Sequence, residues 1–174
     1  MIAFKRADFD DLETLARTRQ KVWATTYRGI YPDHAIDDFD MGWHMARDRG
    51  RMMDKNQAFY LIMDGESCVG YFYYGTPHVK LKDHTFCLNA LYLLPEYRGK
   101  GIGKRVFAMI REVCRERGIP KFFNGCNTHN IPAQGFYYKM GGVVDVINDG
   151  HHNHAEDQMY FEYDLTEEET HHEE

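Results

Sequence analysis

Leu91-Tyr92-Leu93-Leu94-Pro95-Glu96-Tyr97-Arg98-Gly99-Lys100-Gly101-Ile102-Gly103-Lys104 reads as an apolar strand, then a glycine-rich turn, then the start of a helix. A helix beginning there leaves its first backbone N–H groups unpaired, and its dipole adds positive potential. Such a turn binds phosphate oxygens, and glycine is needed where a side chain would block close approach or forbid positive φ. Two common phosphate loops do not fit. A Walker loop needs Ser or Thr after Gly-Lys, and Gly103-Lys104 is followed by Arg105. A dinucleotide fingerprint needs an acid about twenty residues on, where this chain has Phe122 and Phe123. What remains is an Arg-x-x-Gly-x-Gly loop after a Leu-Tyr-x-x-Pro strand. Its bland alternative is a tight strand–helix connection with solvated cations at Arg98 and Lys104.

Downstream stands Asn130-Ile131-Pro132-Ala133-Gln134-Gly135-Phe136-Tyr137-Tyr138-Lys139-Met140-Gly141. Together with the glycine loop, and with one helix and one strand between them, this segment resembles the paired motifs of the GNAT superfamily of N-acetyltransferases. The resemblance runs roughly from Ile2 to Leu165 and is sharpest over 88–142. It implies an α/β fold with a central mixed, mostly antiparallel sheet flanked by helices, whose fourth and fifth strands splay apart around the cofactor's pantetheine arm.

The resemblance also implies acetyl-CoA as co-substrate and no metal. Backbone amides of Arg98, Gly99, Lys100, Gly101, Ile102 and Gly103 would hold the pyrophosphate, with Lys104 adding a charge-assisted contact. Leu91, Tyr92 and Leu93 would pair with the pantetheine amides as an added strand does, and the Leu93 N–H would donate to the thioester carbonyl. Asn130 and Ala133 would contact the pantetheine arm; Asn130 is also a natural helix cap. Tyr137 aligns with the tyrosine that protonates the departing thiolate; its alternative is a core aromatic, in company with Phe136 and Tyr138. Trp23, Tyr27 and Tyr31 fall in a stretch that borders the acceptor site in bacterial polyamine and peptide acetyltransferases.

The chain departs from the pattern in two places. Asn89 stands where many relatives carry a glutamate, and an amide cannot take a proton, though it can hold a water at the acceptor site. Glu66, His78, His84 and bulk water remain open as the base. Gly142 replaces the aromatic that usually follows the motif's glycine.

Length and composition bound the rest. The 174 residues fit one domain over 1–165 and an acidic tail over 166–174. The net charge of −6 argues against a nucleic-acid partner and suits a cationic or neutral small molecule. Cys68, Cys87, Cys114 and Cys126 form no C-x-x-C pair and read as buried thiols of a reducing compartment. With no apolar leader and no stretch long enough for a membrane span, a cytoplasmic protein is expected. The oligomeric state is open, and the resemblance is compatible with a homodimer.

Strands are expected over Ile2–Arg6, Ala58–Met63, Cys68–Tyr74, Thr85–Leu94, Lys121–Cys126, Val143–Ile147 and Gln158–Asp164. Helices are expected over Asp8–Tyr27, Pro32–Asp54, from Ile102 to Gly118, and Ile131–Met140. Asp33, Asp37, Asp38 and Asp40 read as a helix N-terminus and solvated face, or else as an acidic mouth for a cationic amine. His151, His152 and His154, with His171 and His172, read as a solvated polar loop and tail rather than a metal site, or as a wall of the acceptor pocket. The function expected is acetyl transfer from acetyl-CoA to a primary amine, first a small cationic amine such as a polyamine, second a protein or peptide amine. The alternative is a non-catalytic acyl-CoA sensor.

Overall fold

Alternation along the strands decides which face of the sheet each residue buries. In β2 (Ala58–Asp64) and β3 (Ser67–Gly75), Ala58, Ile62, Phe72 and Tyr74 enter one core, while Phe59, Leu61, Tyr71 and Tyr73 enter another on the opposite face. The computed structural model describes residues 1–166, so the acidic tail expected from Thr166 to Glu174 lies outside the described residues apart from Thr166. The remaining elements are β1 (Ile2–Arg6), α1 (Leu12–Thr26), α2 (Asp33–Asp37), α3 (Met41–Met52), β4 (Cys87–Leu93), α4 (Ile102–Glu116), β5 (Lys121–Asn127), α5 (Ile131–Lys139), β6 (Val143–Asn148) and β7 (Gln158–Asp164).

The strands form a sheet in the order β1-β2-β3-β4-β5-β7-β6. Every neighbouring pair is antiparallel except β4 and β5, which run parallel and share one registered pair, Cys87 with Phe123. Beyond that pair the two strands part, as the GNAT resemblance implies. The larger core packs α4 on the sheet: Ile102, Val106 and Ile110 are fully buried beside Phe107, Phe122 and Phe161. Each such aliphatic side chain contributes about 1.5–3 kcal/mol, which fixes where the N-terminus of α4 points. On the other face α1 and α3 meet. Arg19 of α1 makes a two-pronged contact with Asp48 of α3, Nη1 to Oδ2 at 2.5 Å and Nη2 to Oδ1 at 3.2 Å, and its Nε donates to the Tyr71 hydroxyl at 3.2 Å.

Two expectations need correction. Pro32–Asp54 is two helices, because Asp40 starts a new one by accepting from the Trp43 N–H at 2.9 Å. The segment from Asp8 opens as a 3-10 turn over Phe9–Asp11 with a reciprocal Asp8–Asp11 capping box, and α1 begins only at Leu12. The polar connection before β7 holds a 3-10 turn over His154–Glu156. Three of the cysteines are buried and Cys68 half-buried, all free thiols. Among the described residues, no helix is long and apolar enough to cross a membrane.

Candidate active site

The parting of β4 from β5 opens a cleft of about 800 Å³. One wall is Leu88–Leu93 of β4, the other Gly125 and Cys126 of β5 with Asn130, Ala133 and Tyr137 of α5; the glycine loop closes one end. Loop geometry follows from residue type. Gly101 precedes α4 at φ +80°, a conformation that side chains rarely adopt, and no side chain caps the helix. The leading N–H groups of α4 are therefore left for a ligand at its positive end. Gly103 lets α4 approach α5: a Cβ there would sit 2.6 Å from Cζ of Phe136.

The free edge of β4 faces the cleft. Leu94 donates its N–H to Val69 O of β3 at 2.9 Å. Backbone N–H groups alternate in direction along a strand, so that of Leu93 points to the opposite edge, where β5 has moved away. A bulge sits one turn of the pleat earlier: Tyr73 pairs with Ala90 and Tyr74 with Leu88, so Asn89 is the extra residue. Its side chain is already engaged. The amide nitrogen donates to Thr76 O at 3.0 Å and Gln57 Oε1 at 3.3 Å, and its oxygen accepts from the His78 N–H at 3.2 Å.

Tyr137 is 6% exposed and packs among Phe107, Phe136 and Phe161. Burial, with Cys126 beside it, raises its phenol well above the ordinary tyrosine value, and a hydrogen bond with Asn124 offsets only part of this. The Cys126 thiol is pushed up to about 12 by burial. Across the cleft, the hydroxyls of Tyr27 and Tyr92 lie 2.5 Å apart, and both phenols are held protonated first by burial and then by their tyrosine neighbours.

Of the residues singled out in the sequence, Tyr27, Asn89, Leu91, Tyr92, Leu93, Arg98, Gly99, Gly101, Ile102, Gly103, Lys104, Asn130, Ala133 and Tyr137 meet in this one cleft. Lys100 does not line it; its ammonium sits 5.4 Å from the Tyr97 ring centre. Tyr31 and Trp23 stand behind Tyr27, Tyr31 stacked on it at 4.1 Å and Trp23 edge-on at 5.8 Å. The Arg98 guanidinium turns back to donate to Leu93 O at 3.2 Å and Thr26 Oγ1 at 3.0 Å, so it ties the loop to α1. Asn130 caps α5, accepting from the Ala133 N–H at 3.4 Å.

The candidate bases lie elsewhere. Among the described residues lining the cleft there is no carboxylate and no imidazole. His84 is bound to Glu162 Oε2 at 2.8 Å on the far side of β5. Glu66 sits in the β2–β3 turn. His78 is behind Asn89, its pKa lowered to about 4 by burial and by Arg51 and Arg47. Of the acids expected at the mouth, Asp33 and Asp37 pair with Arg28 at 3.1 Å and 2.8 Å, and Asp40 caps α3. None of His151, His152 and His154 lines the cleft. Thr26, Tyr97, Phe136 and Lys139 do line it and were not singled out. Tyr97, Phe136 and Lys139 sit inside the two motifs, whereas nothing local marks Thr26.

The family model described as Acetyltransferase (GNAT) family matches residues 16–142. A spermidine N(1)-acetyltransferase of Thermoplasma acidophilum is 26% identical over 144 residues, 83% of this chain and 89% of that protein. Among solved structures, the PaiA N-acetyltransferase of Thermoplasma acidophilum in complex with coenzyme A superposes with a TM-score of 0.73 at 23% identity, covering 94% of this chain and 99% of that one. A ribosomal-protein-alanine N-acetyltransferase of Brucella melitensis gives a TM-score of 0.70 at 20% identity, covering 94% and 99%.

Proposed function

The chain belongs to the acetyltransferase (GNAT) family, and from that premise we propose that it moves an acetyl group from acetyl-CoA to a small cationic amine by direct attack within a ternary complex. One observation carries the reading. A single cleft joins the unpaired N-terminus of α4, the free edge of β4 and a buried phenol. These residues suit the cofactor: N–H groups at Gly101–Lys104 for the pyrophosphate, the Leu91–Leu93 edge for the pantetheine arm, Asn130 and Ala133 opposite. Acetyl-CoA supplies the acetyl thioester and leaves as the thiol.

The chain's own residues then hold and protonate. Leu93 N–H stabilises negative charge developing on the carbonyl oxygen. Tyr137 gives its proton to the leaving sulfur. A phenol with a raised pKa suits that task only if the thiolate is also desolvated. The cleft wall is a desolvating one, since burial raises the Cys126 thiol that lines it. Half-buried Tyr92, backed by buried Tyr27 and its neighbours Tyr31 and Trp23, gives an aromatic wall for an ammonium entering from the other side. The polyamine preference rests on this wall and on the relative named as a spermidine N(1)-acetyltransferase. A protein or peptide amine is the second acceptor class.

The test is thiol release from acetyl-CoA against spermidine, aminoglycosides, amino acids and basic peptides. Release with polyamines alone supports the reading in full; release with peptides alone moves the acceptor to the second class. That no carboxylate or imidazole lines the cleft among the described residues favours one rival, a non-catalytic acyl-CoA sensor. Tight CoA binding without release with any amine would establish it.

The missing base has a consequence for pH. His78 is already neutral above about 4, and the cleft's phenols and the Cys126 thiol are shifted upward. The amine must therefore lose its proton in solution, with a pKa of about 10 for an ordinary alkylammonium. We expect log kcat/KM to climb with a slope of about 1 from pH 6 to 9 without levelling. A plateau set by an apparent pKa of about 6–7 would reveal a base beyond the described residues of the cleft.

A further inference from the structure

His129 follows β5 in the turn that leads to Asn130, and His151, His154 and Asp157 come from the connection before β7. The fold brings all four together. The Asp157 carboxylate is 2% exposed and takes every imidazole: His129 Nε2 lies 2.8 Å and His154 Nδ1 3.2 Å from its Oδ2, while His151 Nδ1 lies 2.7 Å from its Oδ1. The backbone N–H of His151 also donates to Oδ1 at 2.9 Å. These donors, His129 foremost, hold the carboxyl well below the usual carboxylate range.

We propose that His129 Nε2, His154 Nδ1 and Asp157 Oδ2 bind a divalent transition metal of the zinc class. Two imidazoles and one carboxylate are a donor set zinc favours, and three protein ligands leave a fourth position for water. Zinc bonds of about 2.0–2.1 Å in a tetrahedron separate neighbouring ligand atoms by about 3.3 Å. Two ligand atoms already lie 2.8 and 3.2 Å from the third, and all three fall within 4.8 Å of one another. An ion therefore needs only small ring movements. Each ring must present a lone pair, so its proton moves to the other ring nitrogen. The rings remain 40% and 57% exposed, which gives the ion a way in from solvent.

Hydrogen bonds hold the backbone of the ligand residues, and His151 holds the carboxylate itself. Asn127 accepts from the His129 N–H at 2.9 Å and donates to His154 O at 2.7 Å; Thr128 N–H donates to Asp157 O at 3.1 Å. His151 fixes the carboxylate through its second oxygen. The other cluster of this kind, His84, Asp145 and Glu162, lacks that character: Lys82 is 2.5 Å from Asp145 and Lys121 is 3.4 Å from Glu162, so cations already occupy it. An ion at the first cluster would clamp the turn ahead of Asn130, the cap of α5 on the cleft wall. This site is independent of the acetyl-transfer reading, although the sequence led us to expect no metal.

The experiment uses the full chain, stripped with a chelator and titrated with ZnCl₂ against a chromophoric competitor, with thermal unfolding and cobalt(II) absorption in parallel. One zinc per chain, a raised Tm and a tetrahedral cobalt spectrum are expected. His129→Ala and His154→Ala, both at exposed rings, should weaken binding by more than the roughly 10- to 100-fold that loss of an outer-shell partner costs. His151→Ala should fall within that range, and a His171→Ala/His172→Ala double variant should bind as the parent does. Far-UV circular dichroism checks that each variant is folded. Affinity unchanged in His129→Ala and His154→Ala, or lost only in the tail variant, would overturn the proposal and leave a hydrogen-bonded carboxylate.

Discussion

Tyr137→Phe is expected to lower kcat by roughly 100- to 10,000-fold while CoA affinity holds, the range a positioned general acid commands. That span corresponds to about 2.7–5.5 kcal/mol of barrier. The substitution removes the hydroxyl together with its hydrogen bond to Asn124 and leaves the ring in place. The ring packs against Phe107, Phe136 and Phe161 and keeps those contacts, and Asn124 retains the Tyr163 hydroxyl at 2.7 Å. Single-turnover thiol release measures the chemical step, and calorimetry with CoA measures binding. Equal loss in both would mean that the phenyl ring, not the hydroxyl, had been disturbed. No loss in either would sink the acid role and turn attention to the Tyr27–Tyr92 hydroxyl pair across the cleft.

Asp48→Ala destabilises the protein by about 3–5 kcal/mol, because it strands the Arg19 charge in the interior. Arg19 is 1% exposed and Asp48 0%. Burial works against the guanidinium, and the paired Asp48 carboxylate outweighs it and keeps the group charged. Against a typical total of about 5–15 kcal/mol, that loss is severe. Urea unfolding followed by circular dichroism reads it directly. An Arg19→Met/Asp48→Leu double variant should recover most of the stability, since removing both charges removes the desolvation cost with them. A single-variant loss under about 1 kcal/mol would show that water reaches Arg19. The pair also matters for the site, because α1 carries Thr26 and Tyr27 to the cleft and α3 holds α1 in place.

The sequence by itself determined the parts whose chemistry is local. Glycines at 99, 101 and 103 with an apolar strand before them and a helical stripe after them dictate strand, turn and helix N-terminus, since backbone freedom and side-chain period are properties of neighbouring residues. The motif around Asn130 and Tyr137 is legible for the same reason, and the two motifs together pointed to the family that the comparisons bear out. Local pattern failed first at Pro32–Asp54, where one aspartate, Asp40, could cap a new helix as readily as sit within a longer one.

Only the tertiary structure decided what depends on residues far apart in the chain. The cleft exists because β4 and β5 share a single registered pair, a matter of packing on both faces of the sheet that no window of sequence encodes. Thr26 meets Arg98 across 72 positions. Asn89 lost its freedom to Gln57 and Thr76, and His78 its charge to burial beside arginines. His129 gained His154 and Asp157 only when β5 and β7 paired from Lys121–Asp164 to Asn127–Gln158 and brought their ends together. Hydrogen bonds, desolvation and charge act through space over a few ångströms, so those assignments had to wait for the fold.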